Sequence, residues 1–295
     1  MNISLKTKQA IKTNNTLLAP GLYVIGTPIG NLEDITIRAI NTLSSVDIIV
    51  CEDTRQTLKL LNKYFINNKS LISYNDYNAP KKINTILEEL KKGKKIALVS
   101  DAGTPLISDP GYRLVSETKK KKIKVYSIPG PSSPIAAFSV SGVSTDKFIF
   151  LGFLPKQKSL RNKILIEASK MNLTLVVFER ASRVYNLLNE IKNIFTGRSF
   201  TIARELTKIH EELIDDCFDN LNADSTKNNL LKGEIIILIN SLKDKKVVNK
   251  VSDRILLEKL KYNAPSKVSS LMSKTTKENR NEIYKRCLKL LSKKG

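Results

Sequence analysis

The stretch GLYVIGTPIGNLEDITIRAI, Gly21 to Ile40, decides how the chain is read. Gly21–Ile25 is an apolar run of strand length, and 34–45 has helical spacing. Between them lies Gly26-Thr27-Pro28-Ile29-Gly30-Asn31. Glycines in a strand-to-helix turn let a ligand approach the backbone closely. The turn is not G-x-G-x-x-G, and it does not end in Gly-Lys-Ser/Thr, so it is neither the dinucleotide fingerprint nor the phosphate loop.

Outward from this unit the pattern repeats. Further apolar strands are expected at 47–51, 71–74, 96–100 and 124–128, with helices at 54–65, 80–92, 110–121 and 132–141. Continuous apolar strands separated by helices predict a mostly parallel sheet covered on both faces. A second α/β set starts near Lys147, after a junction at Ser144-Thr145-Asp146. It has strands at 147–154, 173–179, 199–205 and 234–240, helices at 157–170 and 183–195, and an added strand at 211–217 that makes a mixed sheet. Gly152 is expected at a bend in the first of these strands. The last part is helical, with Ser252 or Asp253 as a cap, a break at 263–266 and a turn at Thr275-Thr276. The expected organisation is an extension over 1–19, α/β domains over 20–145 and 146–242, and a basic helix-turn-helix-like module over 251–293.

The 295 residues are 41% hydrophobic and 26% charged, the profile of a soluble globular protein. No apolar run reaches membrane-spanning length, and the polar N-terminus has no secretory h-region. Cys51, Cys217 and Cys287 show no ligand spacing, which suits a reducing cytoplasm. A single histidine, His210, excludes multi-histidine metal sites and reads as structural. The net charge is +22, and residues 243–295 carry 16 Lys and Arg against 5 Asp and Glu. That excess suits a polyanionic partner, nucleic acid first, although lysine drift in the genome would also raise it.

In open α/β sheets, ligands sit beyond the carboxyl ends of the strands. Four such endings in the first domain are rich in Gly, Pro, acid and small hydroxyls: Thr27–Asn31, Glu52–Arg55, Asp101–Pro105 and Pro129–Pro134. None offers the lysine that grips a triphosphate. Backbone amides, Asp and Ser suit a zwitterionic amino-acid end and a nucleoside.

GTPIGNLEDITIRAI, CEDTR, ALVSDAGTPLISDPGYRLV, IPGPSSPIAA and RELTKIHEE closely resemble the ribosomal RNA small subunit methyltransferase I family, within the tetrapyrrole methylase-like superfamily. The resemblance spans roughly residues 20–293. It implies two α/β domains with an S-adenosylmethionine cleft between them, a homodimer without metal, and methylation of a cytidine ribose 2′-hydroxyl in the decoding region of 16S rRNA. Gly26, Pro28, Gly30 and Asn31 fall on the fold's G-x-G-x-G-D loop, Gly103-Thr104-Pro105 on its G-D-P, and Pro129–Ser133 on its P-G-[IV]-[ST]-S. The implied cofactor residues are Thr27, Pro28, Gly30, Asn31, Asp101, Ala102, Gly103, Thr104, Pro105, Pro131, Ser132 and Ser133. Two histidine-bearing motifs of the family read Phe178-Glu179-Arg180-Ala181-Ser182-Arg183 and Tyr74-Asn75-Asp76-Tyr77-Asn78 here, so the chemistry cannot depend on those histidines.

Methyl transfer to a hydroxyl calls for a general base. Glu52, Asp53 and Asp101 are the first-domain candidates, and Glu179 or Glu205 the second-domain ones. A helix cap or an arginine pair would equally explain each. Arg183, Arg204, Lys208, Lys285 and Arg286 suit phosphate contacts with rRNA or the small subunit. The alternatives are a porphyrinoid methylase and a non-catalytic ribosome- or RNA-binding protein.

Overall fold

A computed structural model describes residues 17–221, 233–242, 251–276 and 278–292. The expected extension lies largely outside them. The chain forms two compact units, Met1–Ser241 and Leu242–Gly295.

The first unit opens with a parallel five-stranded sheet: β1 (Gly21–Ile25), β2 (Ile48–Cys51), β3 (Ser70–Ser73), β4 (Lys95–Val99) and β5 (Val125–Ile128), in the order β3-β2-β4-β1-β5. Alternate side chains point to opposite faces. Tyr23, Ile25, Ile49, Cys51, Ala97 and Val99 pack on one side with α1 (Ile37–Ser45) and α2 (Thr54–Lys63). Leu22, Ile48, Val50, Ile96 and Leu98 pack on the other with α3 (Ala79–Lys91) and α4 (Tyr112–Lys120). Both faces are covered, which is why these strands read as unbroken apolar runs. Burial of each large aliphatic side chain contributes about 1.5–3 kcal/mol.

Three helix starts differ from the sequence expectation, one of them the helix expected at 183–195, which runs Ala181–Ile191. The segment 34–45 splits into a 3-10 turn, Leu32–Asp34, and α1, because Ile35 is extended and the Thr36 hydroxyl accepts from Ala39 N–H as the cap. Helix α4 begins at Tyr112 because Gly111 stands at φ +136°.

The second sheet is mixed: β6 (Phe148–Phe153), β7 (Thr174–Arg180), β8 (Ser199–Arg204), β9 (Glu212–Cys217) and β10 (Glu234–Ile239), in the order β6-β7-β10-β8-β9. β6 and β7 are parallel, and β10 runs antiparallel to both β7 and β8. Helices α6 (Lys158–Ser169) and α7 (Ala181–Ile191) cover one face. The other face takes α5 (Ser133–Ser141), which follows β5: Ala137 and Phe138 pack with Val176, Ala203, Ile236 and Leu238. The helix that leaves the first sheet thus packs on the second, and Ile29 of the loop after β1 joins the same cluster. Gly152 sits at φ +59° where β6 slips register against β7, the bend its sequence position suggested.

The second unit holds α8 (Asp253–Leu260), α9 (Pro265–Thr276) and α10 (Arg280–Ser292) around Val251, Leu256, Val268, Met272, Ile283 and Cys287. Asp253, Glu278 and Arg286 fasten it. Arg286 donates to Glu278 Oε1 at 2.8 Å, the Val251 carbonyl at 2.6 Å and Asp253 Oδ1 at 2.5 Å, while Glu278 Oε2 accepts from Val251 N–H. No helix among the described residues is long and apolar enough to cross a membrane.

Candidate active site

The strand order places the loops after β4, β1 and β5 side by side, and they are stitched together. Thr27 and Gly103 exchange backbone hydrogen bonds of 2.8 and 3.1 Å. The Thr27 hydroxyl lies 3.2 Å from both the Ser100 and Gly103 carbonyls. Thr104 donates its hydroxyl to the Pro131 carbonyl at 3.0 Å. Gly26 and Gly130 meet backbone to backbone: a Cβ on Gly130 would stand 2.6 Å from the Gly26 carbonyl oxygen. Those glycines serve loop-to-loop packing. Gly30 abuts Leu206, Thr207 and Lys208, and Asn31 N–H donates to the Thr207 hydroxyl at 3.1 Å.

Above these loops lies a cavity of about 370 Å³. The first-sheet loops supply Ile29, Ala102, Gly103, Thr104 and Asp109, and the start of α5 supplies Ser132, Ser133 and Pro134. The second sheet supplies Phe153, Phe178, Glu179, Arg180, Ala203 and Gly233–Ile236, with Leu206 from the loop after β8. The second-sheet side thus joins apolar and aromatic surface to the charged Glu179, Arg180 and Glu234, while the other side is rich in small hydroxyls and backbone amides. Such a mixture suits a nucleoside-sized ligand with a polar end. Among the described residues, no group of three or more His, Cys, Asp or Glu is arranged to hold a metal ion.

The loop from Thr104 to Gly111 is bent by three left-handed residues: Leu106 at φ +76°, Ser108 at +65° and Gly111 at +136°. A non-glycine residue there costs on the order of 1 kcal/mol or more. Asp109 lies inside this strained turn. Burial, helped by Asp101 and Glu234, raises its carboxyl to about 6 despite a hydrogen bond with Ser100.

The match to the model of tetrapyrrole (corrin/porphyrin) methylases covers residues 21–221. The chain belongs to that family. The Rickettsia prowazekii protein named ribosomal RNA small subunit methyltransferase I is 48% identical over 76% of this chain and 79% of its own length, so the chain belongs to that family as well. The Thermotoga maritima one is 52% identical over 65% and 85%, and the Mesorhizobium japonicum one 39% over 94% and 95%. The solved cobalt precorrin-4 methyltransferase superposes with a TM-score of 0.57 at 16% identity, covering 74% of this chain and 94% of that one. Diphthine synthase gives 0.60 at 13%, covering 74% and 89%. At that identity these two speak for the fold.

Of the residues the family motifs single out, Ala102, Gly103, Thr104, Ser132 and Ser133 lie on the cavity wall. Thr27, Pro28 and Asp101 line a smaller hollow of about 140 Å³ near Gln56 and Lys59. Gly30, Asn31, Pro105 and Pro131 line neither. Asp53 caps α2 and grips Arg55 at 2.6 Å; that hydrogen-bonded pair holds its carboxyl down to about 2. Asp101 Oδ1 accepts from Asp53 N–H at 3.0 Å, and partial desolvation raises its carboxyl. Glu52 is raised by burial and then by Asp101, Asp109, Asp76 and Asp53. Glu205 accepts from Glu234 N–H and Lys208. Glu179 is buried, accepting from Arg180 N–H and facing Arg183 at 3.3 Å.

The cations proposed for phosphate are also paired: Arg183 with Glu179, Arg204 with Glu212, Lys208 with Glu205 and Glu234, and Arg286 with Glu278 and Asp253. Lys285 is exposed. His210, expected to be a satisfied structural residue, is exposed in the turn before β9. Of the second-sheet wall, sequence reasoning named Glu179 as a candidate base but not its apolar residues, and it missed Asp109. The wall follows from strand order, while Asp109 stood in view within SDPG, a turn-forming sequence.

Proposed function

We propose that the chain transfers the methyl group of S-adenosylmethionine to the ribose 2′-hydroxyl of a cytidine in the decoding region of 16S rRNA, from the 370 Å³ cavity. The observation that carries the reading is the composition of that wall, in a chain whose named relatives are rRNA methyltransferases. S-adenosylmethionine supplies a sulfonium-bound methyl group and has no phosphate. The wall fits it: Ile29, Leu206, Phe178, Ile235 and Ile236 offer apolar surface for a purine. The start of α5 at Ser132 and Ser133 offers hydroxyls and unpaired helix N–H groups for a carboxylate. Gly103 stands at φ +79° with Ile29 Cγ2 only 3.3 Å from where a Cβ would be, so its bare backbone forms that part of the wall.

In this reading Ala102, Gly103, Thr104, Ser132 and Ser133 hold the cofactor directly. Thr27, Pro28, Gly30, Asn31, Asp101, Pro105 and Pro131 fix the loops that present them. Arg183, Arg204 and Lys208 position rRNA phosphates once their acidic partners yield, as does the exposed Lys285 of the helical unit, while Arg286 keeps its partners and fastens that unit. The basic balance favours rRNA over an acidic tetrapyrrole as the general acceptor class. A homodimer and a cytoplasmic setting go with the reading. The test is incubation with the cofactor and small subunits lacking the modification, followed by digestion of the 16S rRNA to nucleosides. One 2′-O-methylcytidine is expected; methyl found on a base would overturn the ribose assignment.

A further inference from the structure

We propose that Asp109 is the general base that takes the proton of the acceptor hydroxyl. This rests on the methyl-transfer reading above and goes beyond it by assigning the base. Among the described residues of the cavity wall there are three carboxylates, Asp109, Glu179 and Glu234. Glu179 is held by Arg180 N–H at 2.8 Å and faces Arg183. Glu234 is 76% exposed and pairs with Lys208 at 3.3 Å. Asp109 is in no ion pair among the described residues; its neighbour is the Ser100 hydroxyl, which lies 3.3 and 3.4 Å from the Ala102 and Gly103 carbonyls. The earlier candidates Glu52, Asp53 and Asp101 do not line this cavity, and Glu205 is bound to Glu234 N–H and Lys208.

The turn is held from two sides. Its left-handed residues Leu106, Ser108 and Gly111 bend it, and the Ser108 hydroxyl lies against the β6 bulge, 2.8 Å from where a Cβ on Gly152 would stand. A small side chain on a fixed backbone satisfies the positional demand on a general base. Among the described residues, Asp101 after β4, Glu234 on β10 and Glu52 after β2 act on Asp109, and Glu179 and Arg180 of β7 line the same cavity. Burial and the acidic neighbours place its carboxyl at about 6, so it is ionised yet a competent proton acceptor near neutral pH. Asp109 takes the hydroxyl proton as the oxygen lone pair forms the O–C bond and the C–S pair returns to sulfur. The products are a methyl ether, a neutral thioether and a protonated carboxyl.

The test compares the full-length wild type with Asp109→Asn and Asp109→Glu. Calorimetry gives S-adenosylmethionine affinity, and single-turnover transfer to small subunits is measured at saturation from pH 5 to 9. Thermal unfolding is followed without cofactor. Asp109→Asn should bind the cofactor within about threefold of wild type and transfer on the order of 100-fold more slowly. It should also lose the acid limb near pH 6 that wild type shows. Asp109→Glu should recover part of the rate. Because the folded carboxyl titrates above its unfolded value, stability from its protonation is present below pH 4 and lost as pH rises through 6. The melting advantage of Asp109→Asn should therefore grow from pH 4 to 7. An active wild type with an equally active Asp109→Asn, or with a variant weakened only in cofactor affinity, overturns the proposal alone. An inactive wild type overturns the functional reading, and this role with it.

Discussion

Gly26 and Gly130 show what a glycine in the GTPIGN and IPGPSS segments is for. Their backbones touch, and the contact holds two loops close enough for Thr27 to bridge Gly103 and Thr104 to reach Pro131. A methyl group at Gly130 would meet the Gly26 carbonyl at 2.6 Å, so one of the two loops must move. Gly130→Ala should cost about 2 kcal/mol, read as a lower thermal midpoint, and weaken cofactor binding. A variant with unchanged midpoint and affinity would show that the loops tolerate separation. The residue types at this site were legible in sequence because four such loops follow strands of one sheet; singly, each would be an ordinary turn. Their division of labour was not. Thr27 and Asp101 turn inward to the loops rather than toward the cavity, which depends on contacts some 75 and 50 residues away in sequence.

At the scale of elements, the apolar pattern read well both as unbroken runs in the two-sided parallel strands and as helical spacing in the one-sided α8 to α10. It failed at starts set by a single cap, as at Thr36, and it could not place β10 between β7 and β8. Arg286 shows the same limit. Its position on a basic helix suggested phosphate binding, but its acidic partners are 8 and 33 residues distant. Glu278 is 2% exposed, so removing its cation leaves a buried charge. Arg286→Ala should destabilise the helical unit by about 3 kcal/mol, seen as faster amide exchange across α8–α10. Lys285→Ala should leave exchange unchanged while lowering rRNA affinity. Equal exchange in the two variants would show that the Arg286 contacts carry no stability.

Over the whole molecule, charge is divided unevenly. Residues 243–295 hold 16 Lys and Arg against 5 Asp and Glu, about half of the net charge of +22. The cavity lies wholly within the first unit. Removing 251–295 should therefore leave cofactor affinity unchanged and weaken rRNA binding, with a shallower dependence on salt because fewer counterions are released. Equal rRNA affinity across a salt titration would refute a role for the helical unit.

The most direct measurement offers tritiated S-adenosylmethionine and the full-length chain either small ribosomal subunits lacking the modification or an acidic tetrapyrrole. Label on a cytidine ribose of the 16S rRNA, absent when Gly103→Arg fills the cavity, is the expected result. Label entering only the tetrapyrrole would contradict it.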